Sequence, residues 1–265
     1  MDSSTPTTNP LVLEMVDVAV PSPHLPDVTV VDHVQWTVRR GESWVVGGPP
    51  ASGKSDLLST AAGLMRPQRG VVRLFGCELT SLPEHERLAI QLRTGIVFGN
   101  GGRLFNQMTV FENLSLPLCY HHNCAAEQSR ERVDLVLDNM GLGAIADRVP
   151  VRINRNLRQR VALARALVLS PEVLFLDNPL AGLDSRETRW WIEFLGHLTT
   201  NHPILEGRPL TLVVGTDDLH PWTDGNQQFG YLAENRFVAV GARNRLLQQD
   251  NRALRELLPL AWLKD

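Results

Sequence analysis

With 265 residues, 43% of them apolar and 21% charged, the chain has ordinary globular composition and enough length for one large α/β domain or a core with an inserted subdomain. A net charge of −3 with no block of basic residues argues against a nucleic-acid partner. Cys77, Cys119 and Cys124 are few and irregularly spaced, which suits reduced thiols in a cytoplasmic protein rather than a disulfide framework.

The opening MDSSTPTTNP lacks the basic start and apolar stretch of a signal peptide, and residues 1–10 read as a flexible tail. LVLEMVDVAV (11–20) and VTVVDHVQWTV (28–38) mix alternation with β-branched residues, as antiparallel strands do, and the Pro-rich PSPHLP links them. SWVVGG (43–48) is a short buried strand ending at glycine. Leu57, Leu58, Ala61, Ala62, Leu64 and Met65 then recur at helical spacing until Arg66-Pro67 stops the helix. VVRLFG (71–76) is a further strand. From Pro83 to about Asn156 the pattern turns mostly helical and more polar, with ERVDLVLDNMGL (131–142) its clearest amphipathic segment. Within it, His121-His122-Asn123-Cys124 reads as a polar helix or loop end, because no second ligand cluster accompanies it.

From Leu157 strands and helices alternate again. RQRVALARALVLS (158–170) is a helix, VLFL (173–176) a strand, RETRWWIEFLGHL (186–198) a helix and TLVVGT (211–216) a strand. That alternation implies a parallel sheet with helices on both faces. Trp190 and Trp191 are adjacent, so a helix cannot bury both on one face; one belongs to the core, the other to a neighbouring element or a partner. No apolar run approaches the roughly 18 residues needed to cross a bilayer, so work at a membrane would need another chain to hold this one there.

Gly48-Pro49-Pro50-Ala51-Ser52-Gly53-Lys54-Ser55 fits GxxxxGK[ST] between a strand and a helix, the context a phosphate loop requires. Backbone N–H groups of such a loop surround phosphates, Lys54 neutralises the outer ones, and Ser55 offers its hydroxyl to Mg²⁺. Three details weaken the site. Pro50 has no N–H, Ala51 stands where a backbone-permissive glycine is usual, and Asp56 sets a like charge beside the phosphates.

The ordered set of segments resembles the nucleotide-binding subunits of ABC transporters. After the phosphate loop come GIVFGNGGRLFNQMTVFENLSLPL (95–118), RQRVALARALVLSPEVLFLDNPLAGLD (158–184), TLVVGTDDL (211–219) and YLAENRFVAVGARNRLL (231–247). The phrase LFNQMTVFENLSLPL looks most like the lipid-transporting branch of bacterial envelopes. The resemblance implies an α/β P-loop NTPase with a RecA-like, mostly parallel sheet, an N-terminal antiparallel β subdomain and an inserted α-helical subdomain. It divides the chain into a core (11–82 and 157–242), a helical subdomain with the Q-loop and signature loop (83–156) and a C-terminal helix (243–265). It also implies ATP and Mg²⁺ as ligands, with Asp177 the Walker B aspartate supporting the metal alongside Ser55. Ala181-Gly182-Leu183-Asp184 matches the loop that crosses the interface between two such subunits. The implied partners are an ABC permease and a second ATPase subunit, identical or homologous. The implied place is the cytoplasmic, inner face of the cell membrane.

The departures from the family pattern fall on the chemistry. The water-polarising glutamate aligns with Asn178, whose amide has no basic oxygen at neutral pH; general-base help is worth about 10²–10⁴-fold. The switch histidine aligns with Asp217, an acceptor-only anion where a donor is usual. The Q-loop glutamine aligns with Gly99, with Asn100 a possible substitute. The signature LSGGQ aligns with Ile153-Asn154-Arg155-Asn156-Leu157, ahead of a helix beginning near Leu157. There Arg155 either contacts phosphate as a cation or is simply solvated. In the place of the adenine-stacking aromatic, Val20 to Leu25 offers only His24. These losses, in a frame still holding Lys54, Ser55, Asp177 and the AGLD loop, point to retained nucleotide binding with hydrolysis impaired. The alternatives are an active subunit with repurposed residues and a regulatory or structural pseudo-ATPase beside an active homologue.

Overall fold

The computed structural model describes residues 9–99, 103–123, 125–222 and 225–248. In chain order the strands are β1 (Leu11–Pro21), β2 (Thr29–Arg39), β3 (Ser43–Gly47), β4 (Arg69–Leu74), β5 (Cys77–Glu78), β6 (Thr94–Val97), β7 (Val173–Asp177), β8 (Thr211–Thr216), β9 (Gln228–Ala233) and β10 (Arg236–Ala242). The α-helices are α1 (Lys54–Ala61), α2 (Glu84–Gln91), α3 (Val110–His122), α4 (Arg130–Asn139), α5 (Arg155–Leu167), α6 (Ser185–Leu198) and α7 (Arg243–Leu247). The strands form one mixed sheet in the order β5-β4-β1-β2-β10-β9-β3-β8-β7-β6. Its half from β9 to β6 is parallel, whereas β1 pairs antiparallel with both β2 and β4, and β10 antiparallel with β9.

Strand β7 shows why an unbroken apolar run belongs at the centre of such a sheet. Val173 and Phe175 point into a core shared with α1 and the antiparallel strands, while Leu174 and Leu176 point into a core shared with α3, α4, α5 and α6. Both faces are covered, so alternation with polar residues disappears. The segment 83–156 carries strand β6 as well as its helices; Thr94–Val97 is the parallel edge partner of β7. In the same segment Thr109 and Glu112 form a reciprocal cap on α3, with Oγ1 accepting from Glu112 N at 3.1 Å and Oε2 accepting from Thr109 N at 2.7 Å. Asn113, fully buried on α3, accepts from Phe105 N at 2.9 Å and donates toward the carbonyls of Phe105 and Met108, which pins the 105–109 loop to the helix.

Strands β5, β6, β9 and β10 and the exact start of α5 were not read from the sequence. Strands β9 and β10 make a hairpin whose turn residues Glu234 and Asn235 both have positive φ (51° and 59°), the backbone that suits the strand twist. Helix α5 begins at Arg155, two residues before the expected start, because the Asn154 side chain accepts from Leu157 N at 2.9 Å and caps it there. The expected C-terminal helix is described only as the short α7; its remainder from 249 lies outside the described residues, as do residues 1–8, Asn100 and Cys124. No helix among the described residues is long and apolar enough to cross a membrane.

The adjacent tryptophans divide as their spacing requires. Trp191 is fully buried in the helical core. Trp190 lies on the flank of α6, stacked on Phe194 (centroids 4.9 Å apart) and covered by the Arg160 guanidinium at 3.6 Å. Trp191→Ala should therefore cost about 3–5 kcal/mol by urea denaturation, and Trp190→Ala only about 1 kcal/mol, since it loses a stack and a cation–π contact but opens no cavity. Equal costs would refute this division of the pair.

Candidate functional site

The ends of three neighbouring parallel strands come together because of their register. Gly47 at the end of β3 faces Thr216 at the end of β8, and Asp177 at the end of β7 faces Gly215. The segments that leave these strands therefore start side by side, at the carboxyl edge where parallel sheets bind ligands. They enclose a cavity of about 380 Å³, lined by the loop from Pro50 to Asp56 together with Gly99, Asp177, Asn178, Ala181 and Asp217.

The loop after β3 closes onto α1 in the form the sequence spacing requires. Gly53 has φ +91°, and a side chain there would stand 2.9 Å from Val31 Cγ2, so only glycine fits. Helix α1, like α2, α4 and α7, has no side-chain cap, and of these it is the one whose first residues line the cavity. Its first-turn amides, from the stretch Gly53–Ser55, are left to the cavity, which is the arrangement that receives an anion. Ala51 holds φ +61°, a left-handed conformation that glycine adopts freely and alanine only with strain.

Lys54 is buried, with 6% of its side chain exposed, and its ammonium is fully engaged. Nζ donates to Gly48 O at 2.6 Å and Pro49 O at 2.7 Å, and meets Asp217 Oδ1 at 2.7 Å. Asp217 is held from both sides, since its other oxygen accepts from Asn178 Nδ2 at 2.6 Å. Its backbone is fixed by buried Thr216, whose Oγ1 donates to Asp218 O at 2.8 Å and accepts from Asp218 N at 3.1 Å. Asn178 has φ +48°, a region that asparagine tolerates better than most side chains, and its N–H donates to Gly215 O at 2.8 Å. Asn178 and Asp217 are thus bonded to each other, and Asp217 to the loop lysine.

Ser55 Oγ donates to Asp177 Oδ2 at 2.8 Å. Two oxygens at that spacing match an edge of a Mg²⁺ octahedron, about 2.9 Å for metal–oxygen bonds of 2.0–2.1 Å, so this pair fits the ion. Asp56 adds a third carboxylate. Burial pushes its pKa up, the neighbouring Asp177 pushes it further, and His24 opposes the shift. Among the described lining residues Lys54 is the single cation, against Asp56, Asp177 and Asp217. Gly99 lies close under Asp177; a Cβ there would stand 3.2 Å from the Asp177 carbonyl.

The segment Ile153–Leu157 lies away from this cavity and packs against the loop that follows Asp177. Arg155 Nη2 donates to Ala181 O at 3.3 Å, and buried Gln159 donates to Pro179 O at 2.6 Å. Arg155 is therefore an intrachain strut over Ala181-Gly182, a contact the sequence reading did not consider. Asp184 of that loop accepts from Arg186 N and Glu187 N, both at 2.9 Å, and starts α6.

Residues 31–181 match the model of the ABC transporter family. The chain belongs to this family of ATP-binding domains. It is 30% identical over 227 residues to a probable ribonucleotide transport ATP-binding protein, mkl, of Mycobacterium tuberculosis, covering 86% of this chain and 61% of that protein. It is 37% identical over 180 residues to the sulfate/thiosulfate import ATP-binding protein CysA of the same species, covering 66% of this chain and 49% of that one. The chain thus spans about half to three fifths of the curated relatives it matches. Among solved structures it resembles the dimeric ATP-binding cassette MJ0796 in a post-hydrolysis state with ADP and phosphate. There the TM-score is 0.74 at 26% identity, over 86% of this chain and 98% of that one.

Lys54, Ser55 and Asp177, the residues the sequence points to, meet in this one cavity together with Asn178 and Asp217. Thr216 and the Asn178–Asp217 bond escaped the sequence reading; the adjacent threonine and aspartates in GTDD were the available signal. Ala51→Gly should raise stability by up to about 1 kcal/mol in denaturant unfolding, as relief of the left-handed strain exceeds the added freedom of the unfolded chain. A loss of similar size would show that the loop does not hold this conformation.

Proposed function

We propose that this chain is the ATP-binding subunit of a bacterial ABC transporter, of the envelope lipid-transport type, which holds Mg-ATP and hydrolyses it poorly or not at all. The observation that carries the proposal is the fate of the carboxylates near Lys54. Position 178, beside the strand-tip Asp177, presents an amide whose Nδ2 is spent on Asp217. Asp217 itself faces Lys54, so its lone pairs are committed to a cation and an amide rather than to an attacking water. General-base assistance of about 10²–10⁴-fold is thereby withdrawn.

Retention of nucleotide rests on the uncapped amides of α1 and on the Ser55–Asp177 oxygen pair. When bound there, Mg²⁺ would supply positive charge to phosphate oxygens. The curated relatives are named as transport and import ATP-binding proteins, which supports a permease as partner on the inner face of the membrane. The lipid-transport assignment rests on the phrase LFNQMTVFENLSLPL, whose Asn113 pins the loop ahead of α3. The Ala181–Asp184 loop, braced by Arg155, is the surface offered to a second ATPase subunit. Residues 11–82 and 157–242, joined by strand β6, would act as the core, and the helical part of 83–156 as the membrane-facing subdomain.

A second reading, a regulatory subunit beside an active homologue, is favoured by the same network, because an internally neutralised lysine needs no nucleotide to hold the fold. Phosphate release by the purified chain, alone and with its permease, tests the proposal. We expect turnover far below about 1 s⁻¹ together with Mg-ATP binding that Lys54→Ala abolishes. Turnover of about 1 s⁻¹ or faster, lost in Lys54→Ala, would establish an active ATPase instead.

A further inference from the structure

Asp217 occupies an unusual place for an anion. A phosphate-loop lysine normally reaches the outer two phosphates of a nucleoside triphosphate. Here Asp217 Oδ1 already stands 2.7 Å from Lys54 Nζ, and its second oxygen is taken by Asn178 at 2.6 Å. The carboxylate stands between the lysine and Asn178, the residue that follows β7, in the cavity that Ser55 and Asp177 also line. Its backbone is fixed by the Thr216–Asp218 turn.

We propose that Asp217 is a specificity-determining residue that makes this cavity favour a nucleoside diphosphate over a triphosphate. The inference rests on reading the cavity as a nucleotide site. A diphosphate takes the first-turn amides of α1 and presents Lys54 with one phosphate rather than two, so it disturbs the Lys54–Asp217–Asn178 chain less than a triphosphate does. A third phosphoryl group must either displace Asp217 from Lys54 or lie beside it. Displacement breaks two charge-assisted hydrogen bonds, and proximity sets like charges against each other. No other cation among the described lining residues is available to compensate. One charge-assisted hydrogen bond corresponds to about a ten- to hundredfold change in affinity.

The test is titration calorimetry on the full chain with Mg-ADP and with a non-hydrolysable Mg-ATP analogue. Wild type, Asp217→Asn and Asp217→Ser are compared, with circular dichroism to confirm folding. Wild type should bind the diphosphate about ten- to hundredfold more tightly than the analogue. Both variants should bring that ratio close to one, chiefly by tightening the analogue while diphosphate affinity stays within about twofold. If wild type binds both nucleotides equally and neither variant changes the ratio, the role given to Asp217 is wrong while the nucleotide site stands. If no protein binds either nucleotide at millimolar concentration, the nucleotide reading falls and the inference falls with it.

Discussion

The bond between Lys54 and Asp217 is the constraint on which the rest of the site depends. A buried ammonium is costly unless it is paired and hydrogen-bonded. In this chain it is satisfied by two carbonyls of its own loop and by one carboxylate from the end of a neighbouring strand. That carboxylate could have been left as an unpaired anion in an already acidic cavity. Asn178 prevents this by donating its amide hydrogen to the remaining oxygen. Asn178 and Asp217 therefore form one structural unit with the lysine, with the carboxylate bonded to the amide on one side and to the ammonium on the other.

The network stands at the tips of strands whose own packing holds them in place. The sheet register that brings Gly47, Thr216 and Asp177 together is set by buried, apolar strands, and none of those strands relies on the chemistry at their tips. The signature segment follows the same logic. Asn154 caps α5 and Arg155 braces the Ala181–Gly182 turn, so both residues make intrachain contacts. Glycine at the equivalent positions would leave that turn without its strut.

Much of the frame was legible in the sequence because it depends on local rules. The glycine–lysine–serine spacing after a short strand, the apolar run ending at Asp177 and the adjacent tryptophans each carry their structural meaning within a few residues. The Lys54–Asp217 pair does not. Its partners lie far apart in the chain, and only the alignment of β3 with β8 makes them neighbours, so from the sequence Asp217 is legible only as an acceptor-only anion in a donor's place. Strand β6 was hidden by its short length within a helical stretch. The β9–β10 turn was carried by Glu234-Asn235 without a glycine to announce it. The early start of α5 turned on one asparagine cap, which the search for a glycine-rich loop passed over.

The central claim is that Asp217 is the resident counter-charge of Lys54 in the nucleotide-free chain. A double-mutant cycle with Lys54→Met, Asp217→Asn and the double variant, read by urea denaturation without nucleotide, measures that pairing most directly. The account predicts a favourable coupling of at least about 1 kcal/mol between the two positions. Additive effects, with coupling indistinguishable from zero, would contradict it.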